Sequence, residues 1–272
     1  MLKSIHINNF TETISTHINS NLLTRYYRIF RVSVHTIIGV VIVSLIFPLV
    51  NQSIRSKLIK WWCKHLLEIF NFSVFLHGHL PLENKEKTGM LFVANHISWT
   101  DIHAINSIVP LRFIAKSEIK SWPIFGYLAK KTNVLFINRE KRQETSRIVQ
   151  ITSSNLINGD NLCLFPEGTT TDGTRLMPFK SSIFQAAIHA KAIIQPIAIR
   201  YPSVDGGPNK EIAYAGETTL CESIKQILLQ QNPVVELHFL TPFSTVELSE
   251  NDKSRRKLAQ YIEQSIKEKL SL

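Results

Sequence analysis

The sequence predicts an α/β fold: a single largely parallel or mixed sheet flanked by helices, preceded by an N-terminal hydrophobic helical segment that binds membrane. Three observations predict it. Short β-rich apolar runs recur between residues 73 and 240, helix-like stretches separate several of them, and residues 32–50 hold nineteen positions without a formal charge.

The apolar segment comes first in the chain. "VSVHTIIGVVIVSLIFPLV", residues 32–50, would reach about 28 Å as a helix, close to the hydrocarbon thickness of a bilayer. It lies too deep for a simple signal peptide, and Pro48 should end or kink it. Arg25, Arg28 and Arg31 precede it while Arg55, Lys57 and Lys60 follow, so the flanking charge does not choose an orientation. Both a single span and insertion into one leaflet fit. Residues 54–70 follow as an amphipathic helix, with Ile54, Leu58, Trp61, Trp62, Leu66 and Ile69 on one face and Lys57, Lys60 and Lys64 on the other. Tryptophans between an apolar face and a lysine face suit the interface plane of a membrane, although packing on a core gives the same pattern.

The expected strands are 73–78, 90–94, 111–115, 134–138, 162–166, 192–200 and 234–240, with helices at 101–108, 122–131, 141–157, 181–190 and 253–269. Near-continuous apolar strands alternating with helices indicate a sheet buried on both faces. No linker divides this part of the chain. The expected organisation is a membrane-anchoring region, 1–70, and one domain, 71–272.

Composition narrows the partners. Of 272 residues, 31 are Lys or Arg and 21 are Asp or Glu, a net charge of +10. That excess suits anionic lipid headgroups, phosphorylated small molecules or nucleic acid, and the absence of a zinc-finger pattern or an aromatic RNA-binding strand argues against nucleic acid. Cys63, Cys163 and Cys221 are far apart and form no CxxC pair, which speaks against a zinc site or a disulfide framework. Neither a metal nor a cofactor is expected.

"FVANHISWTDIHAI", residues 92–105, carries the chemistry. His96 and Asp101 would lie about 140° apart on a continuous helix, so they can pair only if His96 sits in the turn before it. Such a dyad fixes the imidazole tautomer and stabilises the imidazolium formed when the other nitrogen takes a proton. Asp101 also reads as part of a capping box with Ser98, and the two readings are compatible. There is no G-x-S-x-G elbow to supply a serine nucleophile. Arg139 ends the run "LFINRE", a residue type suited to bidentate phosphate recognition. In "LFPEGTTTDG", Gly168 permits close backbone approach to a ligand and Glu167 can accept hydrogen bonds from hydroxyls. Lys180 lies near an expected helix N-terminus, a place suited to anions.

"NHISWTD", "FINR", "FPEGTT" and "QPIAI", in that order, resemble the four blocks of the glycerophospholipid acyltransferase family, over roughly residues 70–245. Within it the chain is similar to bacterial 1-acyl-glycerol-3-phosphate acyltransferases, and the run from "FPEGTT" to Phe184 also resembles members that acylate other lysolipids, including lyso-ornithine lipids. The resemblance implies that His96 is the general base and Asp101 its orienting carboxylate. It implies that Arg139 binds the acceptor phosphate, with Lys116 and Lys180 as further phosphate or donor contacts, and that Glu167, Gly168 and Thr169 shape the acceptor pocket. Acyl-CoA or acyl carrier protein would be the co-substrate, and a lysophospholipid the acceptor, at an anionic membrane surface. A membrane-bound hydrolase acting through the same dyad and a non-catalytic lipid-binding scaffold are the alternatives.

Overall fold

In a computed structural model of the chain, residues 19–80, 88–137 and 142–272 are described. Among them an eight-stranded sheet forms from β1 (Ser73–Gly78), β2 (Met90–Ala94), β3 (Arg112–Lys116), β4 (Leu135–Ile137), β5 (Leu162–Leu164), β6 (Ile193–Arg200), β7 (Val234–Phe239) and β8 (Phe243–Ser244). The strand order is β1-β7-β6-β2-β5-β3-β4, with β8 pairing β6. Strands β2 to β6 run parallel to one another, while β7 and β8 are antiparallel to β6 and β1 is parallel to β7. The sheet is therefore mixed. Central strands β2 and β5 are wholly buried, as their unbroken apolar sequence requires.

Helices α1 (Leu22–Val41), α2 (Gln52–Ile69), α3 (Thr100–Ile108), α4 (Phe125–Lys131), α5 (Arg142–Ile157), α6 (Phe184–Ala190), α7 (Leu220–Leu229) and α8 (Asp252–Leu270) surround it. One core lies under α2, α3 and α7 and the other under α5, α6 and α8. Two short elements were not expected from sequence, α7 and β8. Helix α7 is nonetheless well specified at its start, where Thr219 and Glu222 form a complete capping box.

The apolar segment begins earlier than its uncharged run suggests, because Asn21 caps α1 by accepting the Thr24 N–H. After α1 the chain continues through a π-helical stretch, Ile42–Ile46, and a 3₁₀ turn, Phe47–Leu49, that contains Pro48. The whole run Leu22–Leu49 is long and apolar enough to cross a membrane. One face of it is nevertheless docked on the protein. Arg28 donates to the Gln230 and Gln231 carbonyls, His35 Nε2 donates to the Trp62 carbonyl at 3.0 Å, and Trp62 Nε1 donates back to the His35 carbonyl at 3.2 Å. Gly39 makes this approach possible, since a Cβ there would lie 2.6 Å from Trp62 Nε1. Leu23, Tyr26, Phe30, Ile37, Leu45 and Leu49 point outward and are exposed.

Helix α2 behaves differently from an interfacial helix. Its stripe Cys63, Leu66, Leu67 and Ile69 is buried against the domain, whereas Ile54 and Trp61 of the expected face are exposed and Lys57, Lys60 and Lys64 face solvent. The apolar surface left for membrane is thus mostly that of the first helical run.

Candidate active site

Ligands of open α/β sheets bind beyond the carboxyl ends of parallel strands, and His96, Asp101, Lys116, Glu167, Gly168 and Thr169 of the sequence-predicted residues gather there. Strand β2 ends at Ala94 and delivers His96 in the turn that follows. The next strand over, β5, ends at Leu164 and delivers Phe165, Glu167 and Gly168.

Asp101 lies in the first turn of α3 and is wholly buried. Its Oδ2 stands 2.7 Å from His96 Nδ1 and also accepts the Ile97 and Ser98 N–H groups at 2.8 and 3.0 Å. Its Oδ1 accepts the Tyr201 hydroxyl at 2.6 Å. A carboxylate so supplied with donors is held still. It can only accept, so Nδ1 carries the proton and the basic lone pair of His96 belongs to Nε2. Only half of the expected capping box forms: Asp101 reaches back to the Ser98 N–H, but the N-cap position is Trp99, which makes no side-chain cap bond. The carboxylate is shared with the histidine instead.

The imidazole lies flat on Phe165, with ring centroids 3.9 Å apart and planes 6° apart. Neither Phe165 nor Tyr201 was singled out from sequence. Phe165 had a signal in its place within "LFPEG", two residues before Glu167, whereas nothing local marks Tyr201. Burial, then the Asp101 charge, push the Tyr201 hydroxyl well above the ordinary phenol value, so it remains a donor. Tyr201→Phe should cost about 1–2 kcal/mol of stability and slow turnover, read from thermal unfolding and initial rates.

Glu167 departs from its expected work. It is 4% exposed, and its two oxygens accept the backbone N–H groups of His96 and Met177 at 2.7 and 2.8 Å. It braces the turn that carries His96. Burial pushes it up to about 7, against the two N–H groups that favour the charged form. With the folded value above the ordinary 4.5, the folded state holds this proton more tightly, so its contribution to stability is full below that value and is lost as pH rises through about 7. In thermal unfolding between pH 4.5 and 7.5, Glu167→Gln should flatten this part of the slope. It should also cost about 1–3 kcal/mol, because an amide NH₂ must then face one backbone donor.

A cavity of about 580 Å³ opens beside His96. Gly168, Thr169, Thr170 and Lys116 stand on its lining, and Ile42, Val43, Phe47, Leu58 and Trp62 bring the helical N-terminal region into its apolar wall. Gly168 adopts φ +79°, a conformation open mainly to glycine. His103 also lines the cavity; burial pushes it down to about 4, which keeps it neutral there. Lys180 is exposed, precedes only a 3₁₀ turn and is not among the cavity-lining residues. Arg139 lies outside the described residues.

The family model for acyltransferases matches residues 74–200. The lyso-ornithine lipid O-acyltransferase of Pseudomonas aeruginosa is 34% identical over 204 residues, 75% of this chain and 76% of that protein. The chain belongs to the acyltransferase family. The 1-acyl-sn-glycerol-3-phosphate acyltransferase of Neisseria gonorrhoeae is 35% identical to this acyltransferase over 179 residues, 66% of this chain and 68% of that one. The crystal structure of the 1-acyl-sn-glycerophosphate acyltransferase of Thermotoga maritima shares the fold, with a TM-score of 0.69, 22% identity, and 92% and 95% of the two chains covered. The protein is accordingly an O-acyltransferase, and its N-terminal apolar helix fits a membrane-binding segment.

Proposed function

We propose that this acyltransferase moves a fatty acyl chain from acyl-CoA or acyl carrier protein to the free hydroxyl of 1-acyl-glycerol-3-phosphate, giving phosphatidic acid. The observation that carries the reading is the position of the His96–Asp101 dyad at an apolar cavity large enough for a lipid chain. His96 Nε2 takes the hydroxyl proton as the acceptor oxygen attacks the thioester carbonyl. The tetrahedral intermediate then collapses, the C–S bond breaks, and the imidazolium returns the proton to the leaving thiolate. Asp101 stabilises the imidazolium between these steps. General-base catalysis supplies about 10²–10⁴-fold, and the cavity supplies positioning of the chain against one histidine.

A second acceptor has specific support. The Pseudomonas relative is named for lyso-ornithine lipid, which offers the same chemistry through a hydroxyl without a phosphate. Thiol release from palmitoyl-CoA, measured with lysophosphatidate, with lyso-ornithine lipid and with neither, separates the readings. Release that needs lysophosphatidate supports the first. Release that needs only the ornithine lipid replaces it with the second, and release without acceptor would indicate a hydrolase.

The reading places the enzyme at the inner membrane, with its domain on the cytoplasmic side where acyl donors are made, and the +10 charge favours anionic lipid there. The docked face of α1 supports insertion into one leaflet, since Arg28 and His35 are committed to the protein. Fully burying each large apolar side chain is worth about 1.5–3 kcal/mol. The triple substitution Phe30→Asn, Ile37→Asn, Leu45→Asn, all at exposed positions, should therefore move the protein from membranes to the soluble fraction in a sedimentation assay. Retention on membranes would mean that another surface binds lipid.

A further inference from the structure

A second cluster of chemically capable side chains lies at the sheet edge. Strand β1 is the edge strand, and its register on β7 sets His77 directly beside His238. Glu236 lies two residues before His238 and so shares its face. The two rings stack with centroids 4.3 Å apart, Glu236 Oε2 lies 3.3 Å from His238 Nε2, and one ligating atom from each of the three residues falls within 4.8 Å of the others. Two nitrogens here, His77 Nε2 and His238 Nδ1, are buried without a hydrogen-bond partner. Buried polar atoms are nearly always paired, so two adjacent orphans ask for a missing partner.

We propose that His77, His238 and Glu236 form a binding site for a divalent transition-metal ion of the zinc type, with water completing the coordination. Two imidazoles and one carboxylate are a donor set such ions accept, and an ion would satisfy an orphaned nitrogen that no protein donor or acceptor reaches. Bonds of about 2.0–2.2 Å require the donor atoms to close in, which turns one ring out of the stack. His77 can do this, being only partly buried on an edge strand. Arg200, in register with Glu236 on β6, and Lys269, which acts on His77, add positive charge nearby. They weaken binding relative to a neutral setting.

The site is separate from the catalytic one. Val235, Leu237 and Phe239 face the core that contains Phe165, so Glu236 and His238 point to the other side of the sheet. Strand β1 follows α2 after a short turn. An ion bridging β1 and β7 would therefore fasten the base of the N-terminal helices to the sheet and contribute stability rather than chemistry.

The test uses the full-length protein in detergent, freed of metal with a chelator and desalted. Titration with zinc chloride in a calorimeter should show one equivalent per chain and a rise in melting temperature. His77→Gln and Glu236→Gln should each weaken binding by at least about 100-fold, since loss of even a supporting contact costs 10–100-fold. Both should also lose the rise in melting temperature and keep metal-free acyl transfer. His96→Ala should bind zinc as the wild type does. No saturable binding to the wild type, equal binding by both cluster variants, or loss of binding in His96→Ala alone would overturn the proposal.

Discussion

Replacing His96 by alanine should lower acyl transfer by about 10²–10⁴-fold and leave the fold intact. The side chain borders the cavity, is 18% exposed and stacks on Phe165. Its backbone bonds, to Glu167 through N–H and from Thr171 to the carbonyl, do not depend on the ring. Asp101 would keep three of its four donors. The variant should therefore unfold within a few degrees of the wild type while its initial rate collapses. A rate close to that of the wild type, with acceptor present, would remove His96 as the base.

Asp101 should show the opposite balance, a loss of both activity and stability. The buried carboxylate serves His96, two backbone N–H groups and the Tyr201 hydroxyl. Asp101→Ala strands the buried Ile97 and Ser98 N–H groups, at about 1–3 kcal/mol for each unsatisfied buried group, whereas the Tyr201 hydroxyl keeps Thr100 Oγ1 at 2.8 Å and the His96 ring borders the cavity. That is a large part of the 5–15 kcal/mol that holds a typical domain together, so this variant should be recovered poorly or melt far below the wild type. Asp101→Asn is the informative companion. It keeps the volume, but its NH₂ either meets the Tyr201 hydroxyl, which must then accept it and donate to Thr100 instead, or faces the histidine and forces the wrong tautomer. Its turnover should fall by orders of magnitude at a smaller stability cost. An Asn variant with normal turnover would show that the carboxylate only holds the turn.

Much of this site was legible in the sequence because its parts are local. His96 and Asp101 are five residues apart, and the short turn between β2 and α3 brings them together. The runs 73–78 and 90–94 became strands with those bounds, since an apolar run between polar turns needs only a neighbouring strand to be buried. Helix α7 escaped notice because its ten residues sit among short irregular stretches. The expected role of Glu167 failed for a different reason. Its partners His96 and Met177 are backbone groups 71 and 10 residues away, and no side-chain pattern announces a backbone partner.

The sequence by itself determined the alternation of strands and helices, the dyad, and the presence of an apolar N-terminal helix, all of which follow from spacing and hydrophobic period. Tertiary structure alone decided the rest. It reversed β1 and β7 against the central strands, set Tyr201 on Asp101 across 100 residues of sequence, and turned α2 into the domain while α1 kept its outward apolar face. It also closed a cavity between the N-terminal helices and the turn that carries His96. These features depend on which apolar faces meet, and that is settled only when the sheet order is chosen and every buried donor must find an acceptor.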